Sequence, residues 1–281
     1  MQSNNPVLTR MEAEAKRNGG YAGFGTATVT APAPSPGAPS SAPPQYQAPA
    51  APQPVGATMA MPDVIAKTAL MFLVMLPIAV AAWVANVPMA VFFGAMIGAL
   101  VVGIWASVKR EPSPVLFLLY AALEGIVLGA ISKVYNDWAV ANGAQSGIVG
   151  TAVLGTLIVF ALMLGLYSTR IIKVTNRVAS IFTLSLLGYL GLSLVSVMLG
   201  FFGVGDGFGV FGLGWMGILF SLLGVGLASF SLVMDFAAIE SMIAAGAPEK
   251  ESWRAAFGLV VTLVWLYLEL LRLLAILSSG R

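Results

Sequence analysis

The stretch "WMGILFSLLGVGLASFSLVMDFAAIESMI", Trp215–Ile243, decides the class of fold. Its first twenty residues carry no charge, and Asp235 follows them directly. About 20 apolar residues are enough for a helix to cross the hydrocarbon core of a bilayer. Because a charge near the centre of such a helix costs about 2.5–3.5 kcal/mol, Asp235 must face the interior of a helix bundle or water. The stretch therefore predicts a membrane helix with an acid on a polar path.

The composition of the whole chain agrees with a membrane protein. Of its 281 residues, 58% are hydrophobic and only 9% are charged, whereas soluble domains carry about 25% charged residues. The formal net charge is +2, and no basic motif accompanies it, so nucleic acid is not an expected partner. Cysteine and histidine are both absent, which excludes disulfides, thiolate metal sites and catalysis that depends on either residue.

Apolar stretches of sufficient length predict an all-α, polytopic membrane protein with seven transmembrane helices. The first two are separated only by "ANVP", Ala85–Pro88, which predicts a tight hairpin. Gly125 and Gly129, four residues apart in the third, predict close packing against a neighbouring helix. The seven predicted spans are roughly 64–85, 87–107, 114–135, 147–167, 178–201, 212–236 and 254–278.

The N-terminal region has a different composition. "APAPSPGAPSSAPPQYQAPAAPQP", Ala31–Pro54, contains nine prolines and no charge. Such a segment does not bury enough apolar surface to offset the entropy of ordering it. We therefore predict a disordered Pro/Ala-rich tail over residues 1–62 and a transmembrane domain over residues 63–281. The tail is either a tether without a specific role or a docking element for another membrane protein.

Lysine and arginine predict the orientation, because cytoplasmic loops are enriched in them. With seven spans, eleven of the 14 basic residues fall on the side of the N-terminus and three do not. The chain is therefore expected to be a multi-pass protein of the cell membrane, with its N-terminus in the cytoplasm and its C-terminus outside. The eleven are Arg10, Lys16, Arg17, Lys67, Lys109, Arg110, Arg170, Lys173, Arg177, Lys250 and Arg254.

Four ionisable residues lie inside predicted spans: Glu124, Asp235, Glu269 and Arg272. Their depths follow from the rise of an α-helix, about 1.5 Å per residue. Counted from the predicted cytoplasmic side, Asp235, Glu124 and Thr262 share one level at a depth of ~16–18 Å. Glu269 lies about 10 Å further outward, one turn from Arg272.

Two carboxylates at one depth, Asp235 and Glu124, are able to share a proton. When both are deprotonated they offer the hard oxygen ligands that Ca²⁺ prefers, so they are the candidate metal ligands. Asp235 has an equally plausible structural role, as the partner of Lys109 or Arg110 at the cytoplasmic face. Such an ion pair would be a latch that opens on protonation. No tightly bound cofactor is expected, and the expected partners are calcium or another cation and the lipid bilayer.

The outer acid has a simpler interpretation. Glu269 and Arg272 stand at positions i and i+3 of the last span, where side chains of one helix meet. They are therefore interpreted as an intrahelical pair that neutralises two charges.

Several of these segments resemble one family in order along the chain. They resemble the third, sixth and seventh helices of the Bax inhibitor-1/YccA-like family, also called transmembrane Bax-inhibitor-motif proteins, over about residues 60–281. "SNNPVLTR" and the proline-rich tail resemble its longer actinobacterial branch. The three helical segments are "YAALEGIVLGAISKVY", Tyr120–Tyr135; "SFSLVMDFAAIE", Ser229–Glu240; and "LVWLYLELLRLLAILSS", Leu263–Ser279.

The resemblance implies a fold and an activity. It implies seven helices with the seventh at the centre, and a pH-sensitive calcium leak governed by acids on helices six and seven. It also implies a basic latch at the cytoplasmic end of helix two. Asp235 matches the helix-six acid, and Lys109 and Arg110 occupy the latch region.

Helix seven departs from the family pattern. "LYLE" makes Glu269 resemble the family's acid, whereas alignment of the terminal "LRLLAILSS" puts Thr262 at that position. Both residues face the same way, two turns apart. If Thr262 is the positional match, the acid pair is broken and Glu124 is the candidate substitute.

Three classes of function compete at this point. A cation leak is the leading one, and the alternative is a non-transporting scaffold that modulates membrane-protein quality control or a stress response through the tail. An enzyme is not expected. "GVGD", Gly203–Asp206, fits the GxGD pattern of intramembrane aspartyl proteases, but a glycine-rich turn explains it. The only earlier aspartate able to act with it, Asp137, falls in a predicted outside loop.

Overall fold

The structure, a computed structural model, describes residues 56–144, 147–172, 174–203 and 214–279. Within these residues the chain forms seven helices, each long and apolar enough to cross a membrane. All seven predicted spans are therefore confirmed. The helices are α1, Met61–Ala85; α2, Met89–Val108; α3, Pro114–Ala141; α4, Ile148–Ser168; α5, Asn176–Phe201; α6, Trp215–Ala244; and α7, Ser252–Ser279.

The helices run past the ends of the predicted spans. α6 continues to Ala244 and α3 to Ala141, because backbone hydrogen bonds persist after the sequence turns polar at the edge of the bilayer. α1 begins at Met61, so the predicted boundary between residues 62 and 63 lies inside a helix. Most of the predicted tail, residues 1–55, lies outside the described residues, as does Asp206 of "GVGD".

The hairpin between α1 and α2 is as tight as predicted. α1 ends at Ala85, and α2 begins at Met89 after Pro88. The turn depends on Asn86, which has a φ of 47° in the left-handed region. Asparagine adopts this conformation more readily than most residues because its short side chain bonds locally. One polar residue therefore reverses the chain between two apolar helices.

α7 lies at the centre of the bundle, as the resemblance implies. Among the described residues it contacts α1, α3, α4 and α6. In the most apolar 18 residues of its span 61% are buried, against 17% in α1, α4 and α5. Leu266 on α7 is fully buried, and Phe257 packs against Phe117 of α3 with ring centroids 5.3 Å apart. A helix surrounded on four sides is the element able to bring residues from several helices to one site.

α1 and α3 meet backbone to backbone. A Cβ added at Gly125 would lie only 2.6 Å from the carbonyl oxygen of Met75, and one at Gly129 would overlap the carbonyl of Ala79. Only glycine allows so close an approach, and close approach is the main source of packing energy between helices in lipid. The predicted role of these two glycines in helix packing is confirmed.

Residues 57–59, which we call the strap, tie the start of α1 to the turn between α6 and α7. The backbone N–H of Met59 donates to the carbonyl of Ala247 at 2.8 Å, and the N–H of Glu249 donates to the carbonyl of Ala57 at 2.9 Å. Thr58 forms an antiparallel bridge with Pro248. The side chain of Met59 is 2% exposed and belongs to the main apolar core. The chain before the first helix is thus part of the folded bundle.

Candidate functional site

The structure brings Asp235 of α6 and Thr262 of α7 together. Asp235 lies nine residues before the end of α6 and Thr262 ten residues after the start of α7, which places both ~13–15 Å below the turn that joins the helices. The Thr262 side chain lies beside the Asp235 carboxyl group and acts on it as a polar neighbour. The depth count predicted this shared level. α6 and α7 thus meet at a polar contact between otherwise apolar faces.

The hydrogen bonding of Asp235 is incomplete. Its Oδ2 atom is buried and has no hydrogen-bond partner among the described residues. The residue as a whole is half-buried, and Thr262 is 6% exposed. A buried carboxylate oxygen without a donor is costly when it is charged. The site therefore favours whatever supplies the missing partner, which is a proton, a water molecule or a cation.

Glu124 of α3 has its polar neighbour on its own helix. Its side chain lies beside that of Tyr120, one turn earlier. Tyr120 in turn packs edge-on against Phe257 of α7 with ring centroids 4.8 Å apart. Within the described part of the chain, no hydrogen bond or ion pair joins Glu124 to Asp235. The structure therefore does not link the two candidate metal ligands directly.

The predicted metal site has few ligating side chains for a permanently bound ion. Among the residues that the structure describes, no group of three or more acidic, histidine or cysteine side chains is placed to hold a metal. Asp235 and Thr262 offer two ligating side chains, whereas Ca²⁺ takes six to eight oxygen ligands. Water and backbone carbonyls would have to supply the others. The described side chains therefore do not complete a calcium coordination shell by themselves.

Glu269 occupies a separate polar cluster with two hydrogen-bond donors, and its Oε2 atom, like Oδ2 of Asp235, is buried without a partner among the described residues. Its Oε1 accepts hydrogen bonds from the hydroxyl of Tyr189 on α5, at 2.5 Å, and from the indole N–H of Trp265, at 3.2 Å. Glu269 is 9% exposed. Gly224 of α6 makes room for it, since a Cβ there would lie 2.5 Å from the Tyr189 hydroxyl. Three helices thus converge on one carboxyl group.

Arg272 belongs to the same cluster. It lies one turn further along α7, is 9% exposed, and acts on the Glu269 carboxyl through its charge. The intrahelical pair of Glu269 and Arg272 stays a prediction. The donors to Glu269 are aromatic side chains that the prediction did not include.

The predicted latch residues lie at the end of α2. Lys109 and Arg110 are both exposed. The backbone carbonyl of Lys109 accepts a hydrogen bond from the Arg254 side chain at 2.8 Å, which joins the end of α2 to the start of α7. None of the ion pairs that the described ranges contain joins Asp235 to either residue. The structure thus places the latch residues near the start of α7 rather than on Asp235.

Two of the polar neighbours carry a signal in the sequence, and one does not. Tyr120 precedes Glu124 by four residues, and Trp265 precedes Glu269 by four, a spacing that puts both members of each pair on one helix face. Tyr189 stands 80 residues before Glu269 on another helix. Spacing therefore identifies the first two partners, whereas only the folded arrangement shows the third.

Comparison with known proteins agrees with the geometry. The sequence model described as Bax inhibitor 1 like matches residues 5–279, nearly the whole chain. No curated protein matches the chain. The matched region contains all seven helices and both acidic clusters. Together the seven-helix architecture and this match show that the chain is a multi-pass membrane protein and belongs to the Bax inhibitor 1 like family.

Proposed function

We propose that this protein is a calcium leak pathway of the cell membrane and that Asp235 binds the cation in passage. The observation that carries the proposal is the contact between Asp235 and Thr262, with one buried carboxylate oxygen left without a donor. Ionisable groups inside membrane spans characteristically line ion or proton pathways. Oxygen ligands, as in a carboxylate and a hydroxyl, are those that calcium prefers.

Proton uptake by Asp235 gives this pathway its response to pH. The ionised carboxylate attracts a cation to the contact between α6 and α7. A proton on the carboxyl group removes that charge and competes with the cation for the same oxygen. Flux is therefore expected to fall as the medium becomes more acidic, because protonated Asp235 no longer binds the ion.

We place the turn between α6 and α7 in the cytoplasm. Several basic residues meet at this end. Lys67 lies 3.4 Å from Glu249, Lys250 lies 3.1 Å from Glu111, and Arg254 reaches the carbonyl of Lys109. Their common location supports the orientation predicted from the distribution of lysine and arginine. We call this side the predicted cytoplasmic end.

Calcium flux into dye-loaded liposomes tests the proposal. Wild-type protein should admit calcium, and Asp235→Asn should reduce the flux to the level of empty vesicles because the amide carries no charge. Asp137→Asn is the matched control, since Asp137 is exposed and its ion pair, with Lys133 at 3.1 Å, lies within its own helix. Equal flux through wild type and Asp235→Asn would overturn the proposal.

A scaffold that modulates membrane-protein quality control is the second candidate function. The nine prolines of residues 31–54 favour it, because proline-rich segments are common docking elements. Deletion of residues 1–55 removes this segment and keeps the strap. Loss of the cellular function with unchanged calcium flux would favour the scaffold, and a parallel loss of flux would favour the leak.

A further inference from the structure

The strap makes contacts that α1 does not need for its own formation. The start of α1 is satisfied locally, because the backbone N–H of Ala60 donates to the carboxylate of Asp63 at 3.1 Å. The strap bonds, from Met59 to Ala247 and from Glu249 to Ala57, are additional to this cap. They join two parts of the chain almost 190 residues apart. Their effect is therefore on the relation of α1 to α6 and α7.

The turn that the strap holds is the connection between the two helices of the proposed cation site. α6 carries Asp235 and α7 carries Thr262, and residues 247–249 lie in the connection between the two helices. Any widening of the contact between Asp235 and Thr262 requires α6 and α7 to move relative to each other below this turn. A turn fixed to α1 restricts that movement.

The other contacts of this turn are weaker. Lys67 reaches Glu249 at 3.4 Å, and Lys250 reaches Glu111 at 3.1 Å, but the acidic partners are 48% and 75% exposed. Exposed ion pairs contribute little because water and salt screen them. The strap has two backbone hydrogen bonds and a methionine side chain that is 2% exposed. The strap thus adds backbone pairing and a buried side chain to the side-chain contacts at the predicted cytoplasmic end.

We infer that the strap is a clamp: residues 57–59, paired with 247–249, hold α6 and α7 together and restrict cation passage at Asp235. This inference rests on the proposed function for its effect on flux. The inference also has a structural part, which does not depend on the ion carried. In this part, the strap limits the access of water-soluble reagents to the contact between α6 and α7. Release of the strap raises both the access and the flux.

A disulfide across the strap gives the first experiment. The chain has no cysteine, so Thr58→Cys with Pro248→Cys introduces one defined pair. Antiparallel partners place their Cα atoms ~4.5–5.5 Å apart, within the range that a disulfide spans. Oxidation should lower calcium flux severalfold, and reductant should restore it. Each single variant, treated identically, should not respond. Unchanged flux on oxidation, with the disulfide verified by mass, would overturn the inference.

A full-length variant with a released strap gives the second experiment. Met59→Asp places a charge where the side chain is 2% exposed, whereas Met61→Asp is the matched control at a residue that is 38% exposed. Each is combined with Thr262→Cys, and labelling by a membrane-impermeant thiol reagent is timed. Met59→Asp should accelerate labelling severalfold, while Met61→Asp should leave it unchanged.

The labelling result separates the clamp from the leak. Equal labelling rates in the two full-length variants would overturn the clamp, whatever the flux. Faster labelling in Met59→Asp together with no calcium flux through wild type would overturn the proposed leak and support the clamp as a structural device.

Discussion

Asp235 and Glu269 are both acids inside membrane helices, yet their surroundings differ. Glu269 accepts hydrogen bonds from Tyr189 and Trp265 and has the positive charge of Arg272 one turn away. Asp235 has the side chain of Thr262 as its polar neighbour. Each acid keeps one buried oxygen without a hydrogen-bond partner among the described residues, Oδ2 of Asp235 and Oε2 of Glu269. The two acids therefore differ in their donors, since Glu269 accepts from two side chains beside a cationic one and Asp235 has one neighbouring hydroxyl.

The difference indicates two roles for one residue class. Glu269 joins α5, α6 and α7, so its carboxyl group acts as a structural joint. Among the described residues, Asp235 is in polar contact with α7 through Thr262 and has fewer neighbouring donors to compensate its charge. Buried acids in one bundle are therefore not equivalent, and the number of donors around each identifies the one that responds. The variants below test this distinction, from the largest expected effect to the smallest.

The largest effect is expected from Gly224→Leu. A Cβ at this position would lie 2.5 Å from both the Glu269 carboxyl carbon and the Tyr189 hydroxyl, so the joint cannot form. Overpacking costs about 1–3 kcal/mol, and loss of the buried hydrogen bonds adds about 1–3 kcal/mol. Thermal unfolding in detergent should show a large fall in Tm. Gly226→Leu is the control, because nothing lies within 4 Å of its Cβ position. Similar Tm values would contradict a structural role for the joint.

The response of calcium flux to pH should distinguish the role of Asp235 from that of Glu269. Asp235→Asn should stay at the level of empty vesicles at every pH, because no carboxyl group remains at that contact to bind the cation or to take up a proton. Glu269→Gln should keep the fall, since the amide oxygen still accepts from Tyr189 and Trp265. Liposome flux measured across a series of buffers compares the variants. The distinction is wrong if Glu269→Gln removes the pH response and Asp235→Asn does not.

Tyr189→Phe should lower stability without changing flux. The variant removes one hydroxyl donor from buried Glu269, at a cost of about 1–3 kcal/mol in the free energy of unfolding. Tyr167→Phe is the matched control, because the Tyr167 hydroxyl donates to exposed Glu240. We expect a smaller effect there, which thermal unfolding of the two variants would measure. A change in calcium flux for Tyr189→Phe would place Glu269 on the pathway instead.

The smallest effect is expected from Thr262→Val, which keeps the shape of the side chain and removes its hydroxyl. A hydrogen bond of about 1 kcal/mol corresponds to a change of about fivefold in flux. Thr262→Ser retains the hydroxyl and should conduct like wild type. If valine and serine give equal flux, the hydroxyl has no part in binding the cation.

The sequence predicted the helices well because their signal is local. Seven apolar stretches gave seven helices, and "ANVP" gave the turn at Asn86. Apolar character does not, however, indicate which helix is central. α5 and α7 have nearly the same mean hydropathy, but α7 is largely buried and α5 is largely exposed. Lipid and a protein interior are equally apolar, so hydropathy does not distinguish them.

The candidate site was predictable in part. Counting the rise along α6 and α7 placed Asp235 and Thr262 at one level, and the structure joins them. The same count put Glu124 at this level, but depth fixes only one of three coordinates. Glu124 turns to Tyr120 on its own helix instead. Tyr189 was missed because its contact with Glu269 joins separate helices and leaves no pattern in the local sequence.

The glycine contact between α1 and α3 has a mechanical consequence. Gly125 and Gly129 rest on the carbonyls of Met75 and Ala79, so no layer of side chains separates the two backbones or lets them slide. We expect α1 and α3 to move as one rigid unit. A force applied to the residues before α1 would then reach Glu124, the residue directly before Gly125, as well as the turn after α6.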